Sequence, residues 1–221
     1  MICFIASITP GIPMTMTDME IKERRITMRT PKLMKETARG CELYFLEDSF
    51  FHNREIFMTD YVDADSSNEL IKQLLYLNQE NPEKEITIYI NSPGGEVISG
   101  LAVYDCIRLM QAPIRTVCTG MAASMGSILF LAGDKREMLP HTKIMIHAPA
   151  FHNLDIGGVK PLEIQKEVDR IMETRNILCG IIADRTGRTK EEVFEKTKTD
   201  SYFTVEEAME FGLATAVVKS L

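Results

Sequence analysis

Two stretches of the chain make the same move. At 86–91, Ile86, Ile88 and Ile90 alternate with Thr87 and Tyr89; the turn "SPGGE" follows, and a helical pattern then runs from Val97 to Met110. At 114–119 the run "IRTVCT" leads through "GMAA" into an apolar segment headed by Ser124. A third run, "TKIMIHAP", reads as a strand that ends at His147. Strands alternating with helices of this length join parallel neighbours through right-handed crossovers, so the expected fold class is α/β, built from repeated βαβ units. Ligand crevices in such sheets lie beyond the carboxyl ends of the strands. Asn91 to Gly95, Gly120 to Ser124 and His147 all fall at strand ends, so they are expected to converge on one side of the sheet.

With 221 residues, one domain buries about 70% of its unfolded surface and needs no staples. The expected division is an N-terminal arm or leader over 1–38, flexible or processed, and one domain over 39–221. The opening "MICFIASITPGIPM" has an apolar stretch of only about seven residues with no basic residue before it, a poor signal peptide and far too short to span a bilayer. A net charge of −7 argues against nucleic acid and anionic membrane as partners. Cys3, Cys41, Cys106, Cys118 and Cys179 form no CxxC pair and no zinc spacing, so reduced thiols in a cytoplasmic setting are expected. No GxxxxGK loop followed by Ser or Thr is present, and Gly94–Gly95 lacks a phosphate-gripping lysine, so neither nucleotide nor metal is expected.

Around these units, Ser66 and Glu69 have capping-box spacing ahead of Leu70, Ile71, Leu74, Leu75 and Leu77, an amphipathic helix. The stretch "PLEIQKEVDRIMETRNILCGIIADRTG" carries Ile164, Val168, Ile171, Leu178 and Ile182 on a helix of roughly 24 residues, too long for the core alone, which protrudes or packs at an interface. Thr189 with Glu192 and Thr204 with Glu207 are two more capping boxes; Gly212 is a helix stop before "LATAVVK", read as a strand. Asp200 falls in the loop between the two short helices.

A helix beginning near Ala122 would bring unpaired amides and a positive dipole end to Ser124, with "GMAA" as a low-bulk turn beside it. Taken alone, Ser124 is equally an N-cap or a small packing residue. A serine hydroxyl becomes a nucleophile only with a base within reach and an acceptor that orients the base. His52 and His152 sit in "FHN" segments read as loops and His141 follows a proline in a turn, whereas His147 ends an apolar strand. His147 is readable as a core residue and Asp200 as a turn residue. The backbone amides of Gly95 and Met125 are candidates for an oxyanion site.

The segments "YINSPGG", "GMAASMG", "MIHAP" and "TDSYFTVEEAMEFGL", in this order and spacing, resemble the proteolytic subunits of ATP-dependent Clp proteases, the ClpP family, from about Arg39 to Val218. The resemblance implies the ClpP/crotonase fold with a protruding long helix. It also implies a serine endopeptidase with Ser124 as nucleophile, His147 as general base, Asp200 orienting it, and Gly95 with Met125 as oxyanion amides. It implies a homo-oligomer of two stacked heptameric rings joined through the long helix. An ATP-driven AAA+ unfoldase of the ClpX or ClpA/ClpC type would feed it unfolded proteins, and the chain itself would need no cofactor. Leu75 and Tyr89 match apolar positions of the unfoldase-docking pocket and are readable equally as core or subunit contacts.

Residues 1–38 lack a clear counterpart of the family's pore-lining stretch. "FLEDSFFHNR" and the segment between His147 and the long helix are longer than usual, and "GDKREMLPHTK", read as a loop, is slightly shorter. Thr199 stands where many members carry an arginine that pairs across the rings; Arg175 or Arg185 would have to substitute in such a pair, and the ring contact is expected to rest more on Ile164, Val168 and Ile171 of the long helix than on ions. Two other readings stay open: a weak or regulatory ring subunit acting with a paralogue, and a crotonase-type acyl-CoA enzyme, whose chemistry needs no Ser/His/Asp set.

Overall fold

The computed structural model describes residues 31–37, 40–151 and 157–220. The chain divides into two compact units, Met1–Asp48 and Ser49–Leu221. Most of the expected arm lies outside the described residues. In the first unit, β1 (Lys32–Thr37) and β2 (Gly40–Phe45) form an antiparallel hairpin from Lys32↔Phe45 to Thr37↔Gly40. Helix α1 (Leu46–His52) follows, its start held by the Phe45 N–H donating to Asp48 Oδ2 at 2.8 Å.

The second unit is a mixed α/β body around a seven-stranded sheet. Its strands are β3 (Glu55–Met58), β4 (Ile86–Ser92), β5 (Ile114–Ala123), β6 (Lys135–Met138), β7 (Lys143–Ile146), β8 (Ser201–Phe203) and β9 (Ala216–Val217). The pairs β3–β4, β4–β5, β5–β6, β5–β7 and β6–β9 are parallel, as the strand–turn–helix pattern predicts. Pair β7–β8 is antiparallel. Alternation on β4 buries Ile86, Ile88, Ile90 and Ser92. Replacing any of these isoleucines by alanine would cost about 2–5 kcal/mol.

Strand β5 spans two neighbours along one edge: Arg115–Cys118 pair with β6 and Met121–Ala123 with β7. The segment read as a loop, "GDKREMLPHTK", therefore contains β6 and the start of β7, joined by a turn closed by the Thr142 N–H and Oγ1 donating to Leu139 O. At the far end "LATAVVK" keeps only the two residues of β9 as strand.

Helix α2 (Ala64–Glu80) is capped by Asp63, three residues before the expected cap Ser66. Asp63 accepts from the Ser66 N–H at 2.8 Å, and Ser66 Oγ accepts from the Asp63 N–H at 3.0 Å. Glu69 is turned outward and accepts from Gln73 instead. Helices α3 (Val97–Leu109) and α4 (Met125–Ala132) follow β4 and β5, and all eight residues of α4 are buried. Arg185 grips the far end of α4, donating from Nε to Leu131 O (2.8 Å) and from Nη2 to Gly133 O (2.6 Å).

Helix α5 (Pro161–Thr186) opens on a proline and stops at Gly187, whose φ of 74° is left-handed. Its buried residues, Leu178, Cys179, Ile182 and Ala183, all belong to its C-terminal half. Leu162, Val168, Met172 and Ile177 are exposed. Helices α6 (Lys190–Lys196) and α7 (Val205–Phe211) carry both expected capping boxes, and Gly212 ends α7 with φ 93°. No helix of the described residues is long and apolar enough to cross a membrane.

Candidate active site

The expected turn at "GMAA" is strand. Ala122 and Ala123 pair with Ile144 and Met145 of β7, and the irregularity sits earlier, where the register against β4 shifts between Ile90 and Ser92. There the Met121 N–H donates to Asn91 Oδ1 at 3.0 Å. The chain turns from strand to helix at Ser124 alone, and α4 begins at Met125 rather than near Ala122.

Ser124 has φ 52° and ψ −123°, a conformation that costs a non-glycine residue about 1–3 kcal/mol. Its N–H donates to Met145 O at 2.9 Å. Its carbonyl accepts from the Ser127 N–H (3.0 Å), Ser127 Oγ (2.6 Å) and the Ile128 N–H (3.4 Å). A strained strand-to-helix corner of this kind lifts a side-chain hydroxyl clear of both elements. Sequence reading missed the strain because nothing in a serine marks a positive φ.

His147, the residue after β7, places Nε2 at 2.9 Å from Ser124 Oγ, and its Nδ1 lies 3.3 Å from Asp200 Oδ1. The His147 side chain is 27% exposed and that of Asp200 59%. Strand β8 explains how Asp200 arrives. Ile146 pairs with Ser201 across β7–β8, so the next position sets His147 opposite Asp200, and the Ala148 N–H donates to Thr197 O at 2.8 Å. The expected loop at Asp200 thus leads directly into a strand; Tyr202 and Phe203, both strand-favouring, were the available signal.

The "SPGG" turn packs against this corner. Ser92 Oγ donates to Asp60 O at 2.6 Å and accepts from the Gly94 N–H at 3.2 Å. A Cβ on Gly94 would stand 2.6 Å from Ser124 Cβ and 2.9 Å from Met125 N, and its φ of 97° excludes side chains as well. Gly95 bridges to Val62, but the two bonds of that bridge use Gly94 O and Glu96 N, so the Gly95 N–H takes no part in it. Met125 is the first residue of α4, where an N–H has no intrahelical acceptor. A small pocket of about 30 Å³ opens here, lined by Val97, Ile128, Ile146, Pro149 and Leu178 beside Ser124 and His147.

The other histidines stand elsewhere: His52 is exposed at the end of α1 rather than in a loop, His141 is exposed in a turn, and His152 lies outside the described residues. Leu75 is exposed on α2; Tyr89 donates from its hydroxyl to Glu55 Oε1 at 2.8 Å and stacks on Phe57 with ring centres 4.9 Å apart. Burial raises the Tyr89 phenol pKa, with Glu55 adding to the effect. Both arginines named in connection with Thr199 make contacts within the chain. The Arg175 guanidinium lies 3.5 Å from the Phe194 ring centre and donates to Phe194 O, and Arg185 is committed to α4.

Together these elements form a mixed sheet of the ClpP/crotonase-like kind, with serine, histidine and carboxylate gathered where the parallel strands end. A model of the Clp protease family matches residues 36–220, from the hairpin to beyond β9, and the chain belongs to that family.

Proposed function

We propose that the chain is the proteolytic subunit of an ATP-dependent Clp protease, a serine endopeptidase acting on unfolded protein. The observation that carries the reading is the run of contacts Ser124 Oγ–His147 Nε2 (2.9 Å) and His147 Nδ1–Asp200 Oδ1 (3.3 Å). In this reading His147 Nε2 takes the Ser124 proton as Oγ attacks the scissile carbonyl, and Asp200 holds the tautomer with the proton on Nδ1. The carbonyl oxygen, now negative, lies toward the Gly95 and Met125 N–H groups. His147 then gives its proton to the leaving amine, and water repeats the cycle on the acyl-enzyme.

Assembly into two stacked heptameric rings is part of the proposal. It is supported by the N-terminal half of α5, which shows Leu162, Val168 and Met172 to solvent and buries no residue in its own chain. A AAA+ unfoldase of the ClpX or ClpA/ClpC type would deliver substrate in the cytoplasm and consume the ATP; this chain would use no metal or cofactor, so hydrolysis of short peptides is expected to survive EDTA. A second reading, a weak ring subunit that needs a paralogue, draws on Asp200, whose side chain is 59% exposed in the single chain.

A fluorophosphonate probe with native mass measurement tests both. Labelling of the wild type at Ser124 and none of Ser124→Ala, on a particle of unchanged mass, is expected. An unlabelled wild type would remove the peptidase assignment, and labelling only after mixing with another ring subunit would establish the second reading.

A further inference from the structure

The Ser124 carbonyl is unusually well supplied. Three donors converge on it: the Ser127 N–H at 3.0 Å, Ser127 Oγ at 2.6 Å and the Ile128 N–H at 3.4 Å. The two amides are the ordinary start of a helix. The hydroxyl is additional, and it makes the shortest of the three bonds from a residue that is 1% exposed.

That carbonyl belongs to the same rigid unit as the Met125 N–H. A trans peptide is planar, with C=O and N–H pointing in opposite directions, so whatever fixes Ser124 O also fixes the direction of the Met125 N–H. The opposite side is where the Gly94–Gly95 turn lies: a Cβ on Gly94 would fall 2.9 Å from Met125 N. Hydrogen bonds to a carbonyl also polarise its peptide and strengthen the N–H as a donor. The unit hangs from a strained residue, since Ser124 has φ 52° and ψ −123°. Rotation of the 124–125 peptide would relax that strain and swing the N–H away.

We infer that Ser127 is a positioning residue for the oxyanion site: its buried hydroxyl clamps the Ser124 carbonyl, keeps the strained peptide from turning, and aims the Met125 N–H at the developing negative oxygen. The inference rests on the serine-peptidase reading and extends it to a residue that takes no proton and forms no bond to substrate. It predicts a loss confined to the transition state, because the ground-state carbonyl asks little of that amide whereas the tetrahedral oxyanion asks much.

The test is the assembled wild type beside Ser127→Ala and Ser127→Cys, each assayed on a fluorogenic short peptide and with a peptide boronate, whose adduct with Ser124 is tetrahedral and anionic. For Ser127→Ala, kcat should fall about 10–100-fold with KM within about twofold, less than the 10²–10³ of deleting an oxyanion donor outright. The boronate inhibition constant should rise by the same factor. Ser127→Cys, nearly the same size with a weak S–H donor, should recover part of both. Should Ser127→Ala fail to assemble, the cysteine variant carries the comparison, and full activity in it overturns the inference. So does a Ser127→Ala enzyme with kcat within twofold of wild type, or one whose kcat falls while boronate affinity holds. A rise in KM alone would mean that Ser127 merely shapes the pocket it also lines. A wild type with neither peptidase activity nor fluorophosphonate labelling removes the reading and the inference together; an active wild type matched by Ser127→Ala removes the inference alone.

Discussion

The two ends of the Ser124–His147–Asp200 chain are built to different standards. At the serine end every neighbour is fixed within the chain: Ser124 donates to Met145, Ser127 and Ile128 hold its carbonyl, Gly94 packs against it, and all eight residues of α4 are buried behind it. At the carboxylate end Asp200 is 59% exposed and sits 3.3 Å from His147, in a short turn beside the exposed Thr199. The serine is set by folding alone. The carboxylate is located by the β7–β8 pairing and the Ala148 N–H bond to Thr197 O, and its side chain stands largely open. The single chain thus carries a preformed corner at Ser124 and a less constrained carboxylate beside His147.

The largest effects should come from the serine end. Ser124→Ala and His147→Ala are each expected to abolish peptide hydrolysis, whereas Asp200→Asn should leave measurable turnover, with a loss approaching the ~10⁴-fold seen when a triad aspartate becomes asparagine. Steady-state kinetics on a short peptide separates them, and a loss below about tenfold for Asp200→Asn would show that another acceptor orients His147. Gly94→Ala probes how tightly the serine end is packed. A Cβ placed 2.6 Å from Ser124 Cβ at φ 97° should cost about 2–4 kcal/mol of stability and most of the activity, read by denaturant unfolding and kcat. Wild-type stability in that variant would mean that the turn gives way more easily than the corner does.

The exposed end is sharpened by assembly. Met172→Glu, on the apolar outer half of α5, should convert double rings to single rings in sedimentation velocity, while wild-type double rings should persist at roughly molar salt because apolar burial is not screened. Dissociation of the wild type on adding salt would show that ions hold the rings. The smallest effect concerns acid. The Thr189 and Thr204 N–H groups hold Glu192 and Glu207 below the usual carboxylate range, as Ser66 does for Asp63. A depressed folded-state pKa adds stability above the ordinary carboxylate pKa, and that contribution disappears as pH falls through the folded value, below about pH 4. Thermal melts of Glu192→Gln/Glu207→Gln should therefore lie below wild type at pH 7 and converge on it near pH 3. A constant gap across that range would place the effect elsewhere.

What was legible in the chain follows the same division. Alternating isoleucines announced β4, and threonine–glutamate pairs announced two helix starts, because those signals are local. Ser124, His147 and Asp200 could be named together through their motifs, yet the reasons they meet are not local. Strand β8 exists because β7 offers it an edge, not because three residues are a strand by themselves. The extension of β5 through "GMAA" likewise depends on pairing with β7, and the strain at Ser124 on bonds from both sides of the corner. The α2 start was misplaced by three residues because Asp63 takes the cap, a choice that depends on where the preceding chain enters.

The antiparallel pairing of β7 with β8 also sets where this molecule can tolerate a change of length. Ile146 faces Ser201, and a one-residue slip would turn each side chain of β8 to the opposite face of the sheet. An added or deleted residue between Lys196 and Ser201 would carry the carboxylate away from the imidazole and disturb the bonds this segment makes, Ala148 N–H to Thr197 O and Ser201 Oγ to Lys196 O. The segment Gly157–Lys160 runs into α5, carries none of the three groups and can lengthen without moving them. In lineages derived from this chain, insertions should accumulate in the second segment and be purged from the first wherever selection keeps the carboxylate beside the imidazole.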